Sequence, residues 1–410
     1  MMPGTMWKPY RIVPDDVLFF RDGKPSSRGD DHFLRSIFPP APSTLYGALR
    51  TRRLMDELDS LDGMNEERWN KLPEDLKSEL GEWGGVGSMK MRGPWIVKGD
   101  KEILFPAPAD LGLVFKELDG AASQWDRIAA VVRYLPAEDN NGAKENQWSH
   151  FLNLLTPCVL GERGWSPWSP SPDENEPKPP TGWYLNSNGM NSWLEGRVPA
   201  PDDFVHATEL WADEVRTGVG LMADRRSHEI GQLYTFGYIR LHADVSIGFE
   251  LRGAKLEANG GLRLGGDGRT AALADGPSLH VSKISGGCKR LNLYCATPIL
   301  SESGGLFPGV GSNGVGKVNG VEVKVVAACV REHALIGGWD LAKRRPKTLR
   351  RAIPAGAVVI VEALAAGGAF AMDAVESLHE AGVSDYPAEH LVEHGYGFIL
   401  AGRGTLREAN

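Results

Sequence analysis

From residue 233 onward the chain is a succession of short β-rich runs cut by glycine turns, a pattern that excludes an all-helical fold. "LYTFGYIRLHADVSIGFELRG", "RLNLYCATPIL", "EVKVVAACV" and "AVVIVEAL" are dense in branched and aromatic residues, which suit a pleated, half-buried surface. "LRLGGDGRTAALA" reads as strand, glycine turn, strand. The chain closes on "HGYGFILAGRG", an apolar strand bracketed by glycines. A length of 410 residues implies two or three domains at roughly 100–200 residues each.

The first half opens differently. "YRIVPDDVLFFRDG" reads as a strand carrying Ile12, Val13, Val17, Leu18, Phe19 and Phe20, with a turn at Asp22–Gly23. After the joint "FPPAPS" comes "STLYGALRTRRLMDELDSL", a helix with Ser43 or Thr44 as its cap and Leu45, Leu49, Leu54 and Leu58 as its apolar stripe. "PWIVKGDKEILFPAP" reads as a hairpin with Gly99–Asp100 at its tip. Residues 110–205, rich in tryptophan and holding "WSPWSPSPDENEPKPPTGW", are expected to be an irregular insertion with mobile parts and no core of their own.

Charge is unevenly placed. The chain carries a net −8, yet six of the nine residues from Lys343 to Arg351 are basic. Pro346 and Pro354 exclude a continuous helix there, so the run sits on a loop between strands. The default reading of such a run is a solvated loop. Six like charges repel one another, however, and favour nearby anions; Trp339 just before them is placed to stack on a base. Smaller basic groups occur at Arg225–Arg226 and Lys289–Arg290. An acidic chain with basic islands is not a non-specific nucleic-acid coat. It suits a local grip on phosphate, with the acidic remainder facing protein neighbours.

Several motifs point to other chemistry and fall short of it. "GSNGVGKV" at 311–318 nearly spells a phosphate loop, but Val318 stands where Ser or Thr must hold Mg²⁺; a flexible surface loop is expected instead. "HLVEH" matches an inverted zinc-peptidase pattern through His390 and His394. Gly395 ends any helix at once, so a polar helix end is expected. Cys158, Cys288, Cys295 and Cys329 form no CxxC pair and read as buried free thiols. "LGGDGR" offers close backbone approach, with Arg269 on the rim. No run nears the ~20 apolar residues of a membrane helix, and the N-terminus has no signal core; a cytoplasmic protein without a membrane role is expected.

"FFRDGKP", "FPPAPSTLYGALRT", "LFPAPADL", "EVRTGVGLMADRRSHEIGQLY", "LGGDGR", "IGGWDLAKRRPKTLRRAIPAG" and "GYGFILAGRG" follow one another in this order. Together they resemble the third-subunit family of the Cmr complex, the type III-B CRISPR RNA-guided effector, within the RAMP (repeat-associated mysterious protein) superfamily. The resemblance spans nearly the whole chain and is least diagnostic over 120–205. It implies an α+β fold of two ferredoxin-like, RRM-like RAMP domains: 1–215, with the insertion at about 110–205, and 216–410, ending in a Gly-rich loop. It also implies a subunit without catalytic role or cofactor. Such a subunit holds the 5′ handle of the CRISPR RNA and packs against the large polymerase–cyclase subunit and a neighbouring RAMP backbone subunit. Ser26 departs from the family, which often has an aromatic there.

A single-stranded handle needs a basic groove, aromatic platforms and close backbone donors. The basic loop supplies Lys343, Arg344, Arg345, Lys347, Arg350 and Arg351; Trp339 or Phe20 supplies a platform. The glycine turns at 265–268 and 402–404, with Arg269 and Arg403 beside them, and the helix start at Ser43 and Thr44 supply donors. Arg21, Lys24 and Arg28 on the first loop, Arg50 on the helix, and Arg225 and Arg226 complete the expected RNA-binding set. The competing reading is a metal-independent endoribonuclease acting on CRISPR repeat RNA, with His32 as acid–base group and Tyr46 as helper.

Overall fold

Strand β1 (Lys8–Pro14) turns Tyr10 and Ile12 inward and leaves Val13 exposed, the period of two that a half-buried strand requires. In the computed structural model, which describes residues 6–21, 33–115, 128–136, 155–161, 164–167, 176–221, 228–284, 287–301, 307–340, 345–364, 368–386 and 389–404, β1 leads into helix α1 (Pro42–Met55). The first sheet then takes β2 (Lys90–Lys98), β3 (Val245–Arg252) and β4 (Thr270–Asp275). β3 lies between β2 and β1, antiparallel to both, through Ile247↔Ile96 and Ile12↔Ile247. On its other side β1 pairs with β4 through Ile12↔Leu273. Glu102–Pro106, Trp183–Leu185 and Phe204–His206 extend the β2 edge, and Gly261–Arg263 the β4 edge, to eight strands.

The second sheet is built on β5 (Arg290–Cys295), β6 (Val321–Cys329), β7 (Val358–Ala363) and β8 (Phe398–Arg403), in the order β6–β7–β5–β8 with antiparallel neighbours. Short helix α2 (Met372–Leu378) lies between β7 and β8 in the chain. From Leu291 on, every residue of β5 is buried. A central strand covered on both faces reads as a near-continuous apolar run, which is why "LNLYC" shows no alternation. The fold is mixed α/β, rich in strands and poor in helices.

Two large hydrophobic cores lie within the units and a third joins them. One packs Leu45, Tyr46 and Leu49 of α1 on Ile247 and Phe249 of the first sheet. Another packs Val375 and Leu378 of α2 on Leu293, Val359 and Ile399 of the second. The third lies between the sheets and draws Trp95, Phe105 and Trp193 from the first unit, Tyr294, Val358 and Phe398 from the second. Charged groups rivet the same seam. Arg92 pairs with Glu380 at 2.9 Å and stacks on Trp7 and Phe398.

Two expectations change. The sheets part between Asp275 and Arg290, not at 215/216; that position falls inside the strand Trp211–Leu221, whose partner is His228–Leu241. Composition turns β-rich near 233, but β3 and β4 lie beyond that point and still return to pair with β1. The described residues of 110–205 are also more regular than an irregular insertion. Leu111–Phe115, Ile128–Pro136, Leu155–Gly161 and Gly164–Pro167 form a four-stranded antiparallel sheet. Helix Ser187–Leu194 sinks Met190, Trp193 and Leu194 into the inter-sheet core. Beside it the fully buried Asp110 accepts from Arg133 Nε at 2.9 Å and Trp193 Nε1 at 2.8 Å.

Candidate nucleic-acid interface

Helix α1, the basic hairpin and the turn segment 389–397 meet at the seam. α1 begins at Pro42, with Ala41 as its cap and no side-chain cap. Proline fits the first helical position because its missing N–H would lack an intrahelical partner anyway. Ser43 therefore does not cap; its Oγ lies 2.9 Å from the Tyr396 hydroxyl of the second unit. The Thr44 N–H donates to Ala41 O, so the helix start is not the open row of donors expected at Ser43–Thr44.

One turn on, the Tyr46 ring packs against the His394 ring at 4.3 Å. Tyr46 donates to Met89 O, and burial pushes its hydroxyl up to about 12. Such a phenol is a poor acid–base helper. Arg50, on the next turn, stacks on Trp69 at 4.8 Å, and no carboxylate among the described residues pairs with it; burial lowers its pKa. Gly47 between them is exposed, and a Cβ there would meet nothing within 4 Å.

The basic run forms a small hairpin. Trp339–Asp340 pairs with Arg345–Pro346, and Lys347 N–H donates to Gly338 O. Below it, Arg350–Ile353 pairs with Ala334–Ile336. Alternation along this strand separates its two arginines. Arg350 stacks on Tyr386 and is clasped by Glu389, so it is a packing element. Arg351 is exposed beside Leu335, as are Arg345 and Lys347. Trp339 is 56 % exposed and open as a platform. Phe20 is not: at 6 % exposure it packs against Phe38.

Other expected residues are drawn elsewhere. Arg269 stacks on Tyr238 and pairs with Asp267 and Asp16, within a network that also takes in Arg216, Arg240 and Glu214. The turn 265–268 closes on Phe19, whose carbonyl accepts from Gly266 N–H. Gly402 lies under Trp193, where a Cβ would approach Cζ3 to 2.9 Å; Arg403 is exposed beside it. Gly265, Gly266, Gly402 and Gly404 are accounted for by protein packing and Gly268 by its left-handed backbone at φ +63, and sequence alone does not separate these from a ligand approach. Arg21 lies in an antiparallel bridge to Ser36. Lys24, Arg28, His32, Arg225, Arg226, Lys343 and Arg344 lie outside the described residues.

The zinc-like pair has no helical face. His390 sits at φ +53, within a run of turns. Burial, with Lys347 and Arg50 adding to it, pushes His394 down to about 4. No group of three or more potential metal ligands occurs among the described residues. The phosphate-loop look-alike is a hairpin: Val315–Val318 pairs with Val321–Lys324, and Lys317 with Glu322 at 3.1 Å. Cys295 and Cys329 are buried free thiols and Cys288 is half-buried; the Cys158 side chain lies outside the description. No described helix is long and apolar enough to cross a membrane.

His394 is the group at this seam that sequence reasoning missed; its only signal was a motif for a different chemistry. Comparison with solved structures finds two type III-B Cmr-beta assemblies bound to cognate target RNA, one also with AMPPnP. They match at 14 % and 15 % identity over 86 % of both chains, each with a TM-score of 0.44. A Csm3–Csm4 subcomplex of the type III-A CRISPR-Cas interference complex matches at 12 % identity over 88 % of this chain and 96 % of that one, with a TM-score of 0.31. No curated protein matches. The family model for CRISPR-associated protein Cas_Cmr3 matches residues 10–404, and the chain belongs to that family.

Proposed function

We propose that the chain is a non-catalytic scaffold subunit of a type III-B CRISPR effector. It holds the 5′ handle of the CRISPR RNA along the seam and docks the large polymerase–cyclase subunit and a neighbouring RAMP backbone subunit. The two units are read as ferredoxin-like domains. Numbered in chain order within each unit, both follow the order 2-3-1-4 with antiparallel neighbours, and each keeps one of the two helices of that motif. The assembly is read as cytoplasmic.

The observation that carries the RNA reading is the convergence at the seam. An exposed glycine inside α1 and the stacked, carboxylate-free Arg50 come together with the basic hairpin through His394. Glycine inside a helix costs roughly 0.5–1 kcal/mol relative to alanine, and no neighbour of Gly47 requires it. A ligand lying close against the helix gives it a use.

Ultraviolet crosslinking of the assembled complex, read by mass spectrometry, tests this. RNA-linked peptides should come from 43–51 and 339–351. Crosslinks confined to 176–206 would place the RNA on another face and remove the reading.

A further inference from the structure

A second exposed aromatic ring lies on the three-stranded sheet made by Trp211–Leu221, His228–Leu241 and Phe33–Arg35. Paired residues of neighbouring strands point to the same side of a sheet, and so do residues two apart. One side of this sheet carries Leu34, Phe236 and Tyr238, which pack on Phe19. The other side carries two cross-strand rows. Thr217, Thr235 and Phe33 form one; Val215, Gly237 and Arg35 form the next. This side faces solvent: Phe33 is 43 % and Val215 58 % exposed, and Thr217 and Arg35 are exposed with them.

Gly237 stands at its centre. A Cβ there would lie 3.3 Å from Phe33 Cζ, so the Phe33 ring reaches diagonally across the glycine and rests against the sheet. Arg35 stands over the same ring, its Cζ 5.3 Å from the centroid, and no carboxylate among the described residues pairs with it. Singly exposed apolar side chains are ordinary. Here an aromatic ring, an unpaired guanidinium and the Thr217 and Thr235 hydroxyls, 3.5 Å apart, share one open face.

We propose that this face is a further RNA subsite, with Phe33 as the platform for an unpaired base and Arg35 as the cation for its phosphate. The proposal rests on the RNA-binding reading above and carries the RNA path on from the seam. Every base has a π-face, so an exposed aromatic ring holds single-stranded RNA whatever its sequence. A guanidinium beside the ring meets the phosphate or stacks in its turn. An added protein strand does not explain the ring. It would pair with the free edge of Trp211–Leu221, on the far side of His228–Leu241 from Phe33. Pro42, where α1 begins, is seven positions beyond Arg35, at most about 25 Å along an extended chain. A single strand of a few nucleotides therefore reaches both α1 and the platform.

The experiment measures the Kd of the full chain for a short fluorescein-labelled single-stranded RNA by anisotropy, over a series of salt concentrations. Phe33→Ala should weaken binding about five- to one-hundred-fold, the range for one base–aromatic stack, without changing the salt slope. Phe33→Leu keeps an apolar cover on Gly237 but has no π-face, and should lose most of the same factor; Phe33→Tyr should keep the affinity of the unmutated chain. Arg35→Gln should flatten the dependence of log K on log salt by about 0.7. Full affinity in Phe33→Leu would make the ring a cover for Gly237 and nothing more. Either that result or an unmoved slope in Arg35→Gln overturns the subsite and leaves the RNA-binding reading standing. RNA that does not bind the unmutated chain overturns both.

Discussion

Trp193 covers Gly402: a Cβ at that glycine would stand 2.9 Å from Trp193 Cζ3 and 3.2 Å from the Leu194 Cα. The glycine of the closing strand is thus the floor on which helix Ser187–Leu194 lies. Trp193 is fully buried and held by Asp110, so it has nowhere to retreat. Gly402→Ala should destabilise the fold by about 1–3 kcal/mol, the range for overpacking a close-fitted core, and leave RNA affinity per folded molecule unchanged. Urea unfolding and anisotropy on the same sample check both halves.

Gly47→Ala should act in the opposite sense. The position is exposed and helical, and its added methyl meets nothing. Stability should rise by roughly 0.5–1 kcal/mol while RNA affinity falls, because the methyl occupies the space kept for the ligand. A variant that is more stable and binds RNA equally well would remove the argument for close approach at α1.

Charge on the basic hairpin should be countable. Arg345, Lys347 and Arg351 are exposed, whereas Arg350 is engaged by Glu389 and Tyr386. Replacing each of the three with Ala should flatten the dependence of log K on log salt by about 0.7 per lost contact on a single strand. Arg350→Ala should instead lower thermal stability. Circular dichroism accompanies the measurement, since a slope from a misfolded variant carries no information.

What could be read from sequence divides along the range of the forces involved. Local patterns gave the 99–100 hairpin, the turn at 265–268 and the strand at 398–403, because alternation and glycine act within a few residues. They gave helix α1, too, although it stops at Met55 and is capped without Ser43. The border between the units was misplaced because β1 finds its partners more than two hundred residues away. Charge density located the basic hairpin but not the split between Arg350 and Arg351, which depends on what packs beneath the strand. Phe20 looked like a platform for the same reason: exposure is a property of the partner surface, and here that surface includes Phe38.

The buried pair beneath Trp193 should be sensitive to the loss of one member. Asp110 and Arg133 have no exposed side-chain surface, and Arg133 Nη2 has no hydrogen-bond partner. Asp110→Asn leaves a buried guanidinium without its counter-charge, which costs about 3–5 kcal/mol. Asp110→Leu combined with Arg133→Met removes both charges and should cost less than either single change. Denaturant midpoints of Asp110→Leu, Arg133→Met and the double variant decide it; strictly additive losses would mean that the two groups act independently.

Acid should weaken the free protein through His394. Its unfolded-state value is about 6.5, and in the fold it is pushed down to about 4. Between these values the unfolded chain binds a proton that the folded chain refuses. The stability that depends on a neutral His394 is therefore fully present above about pH 6.5, drains away as pH falls, and stops changing below about 4. The loss is on the order of 2 kcal/mol once partial exposure is allowed for. Buried Glu250, raised by its own desolvation, titrates with the opposite sign, so the total curve is a sum. The difference between the unmutated chain and His394→Gln isolates the histidine: the two denaturation curves should converge as pH falls through this window. Curves that stay parallel from about pH 7 to about pH 4 would mean that His394 ionises as freely in the fold as in the unfolded chain.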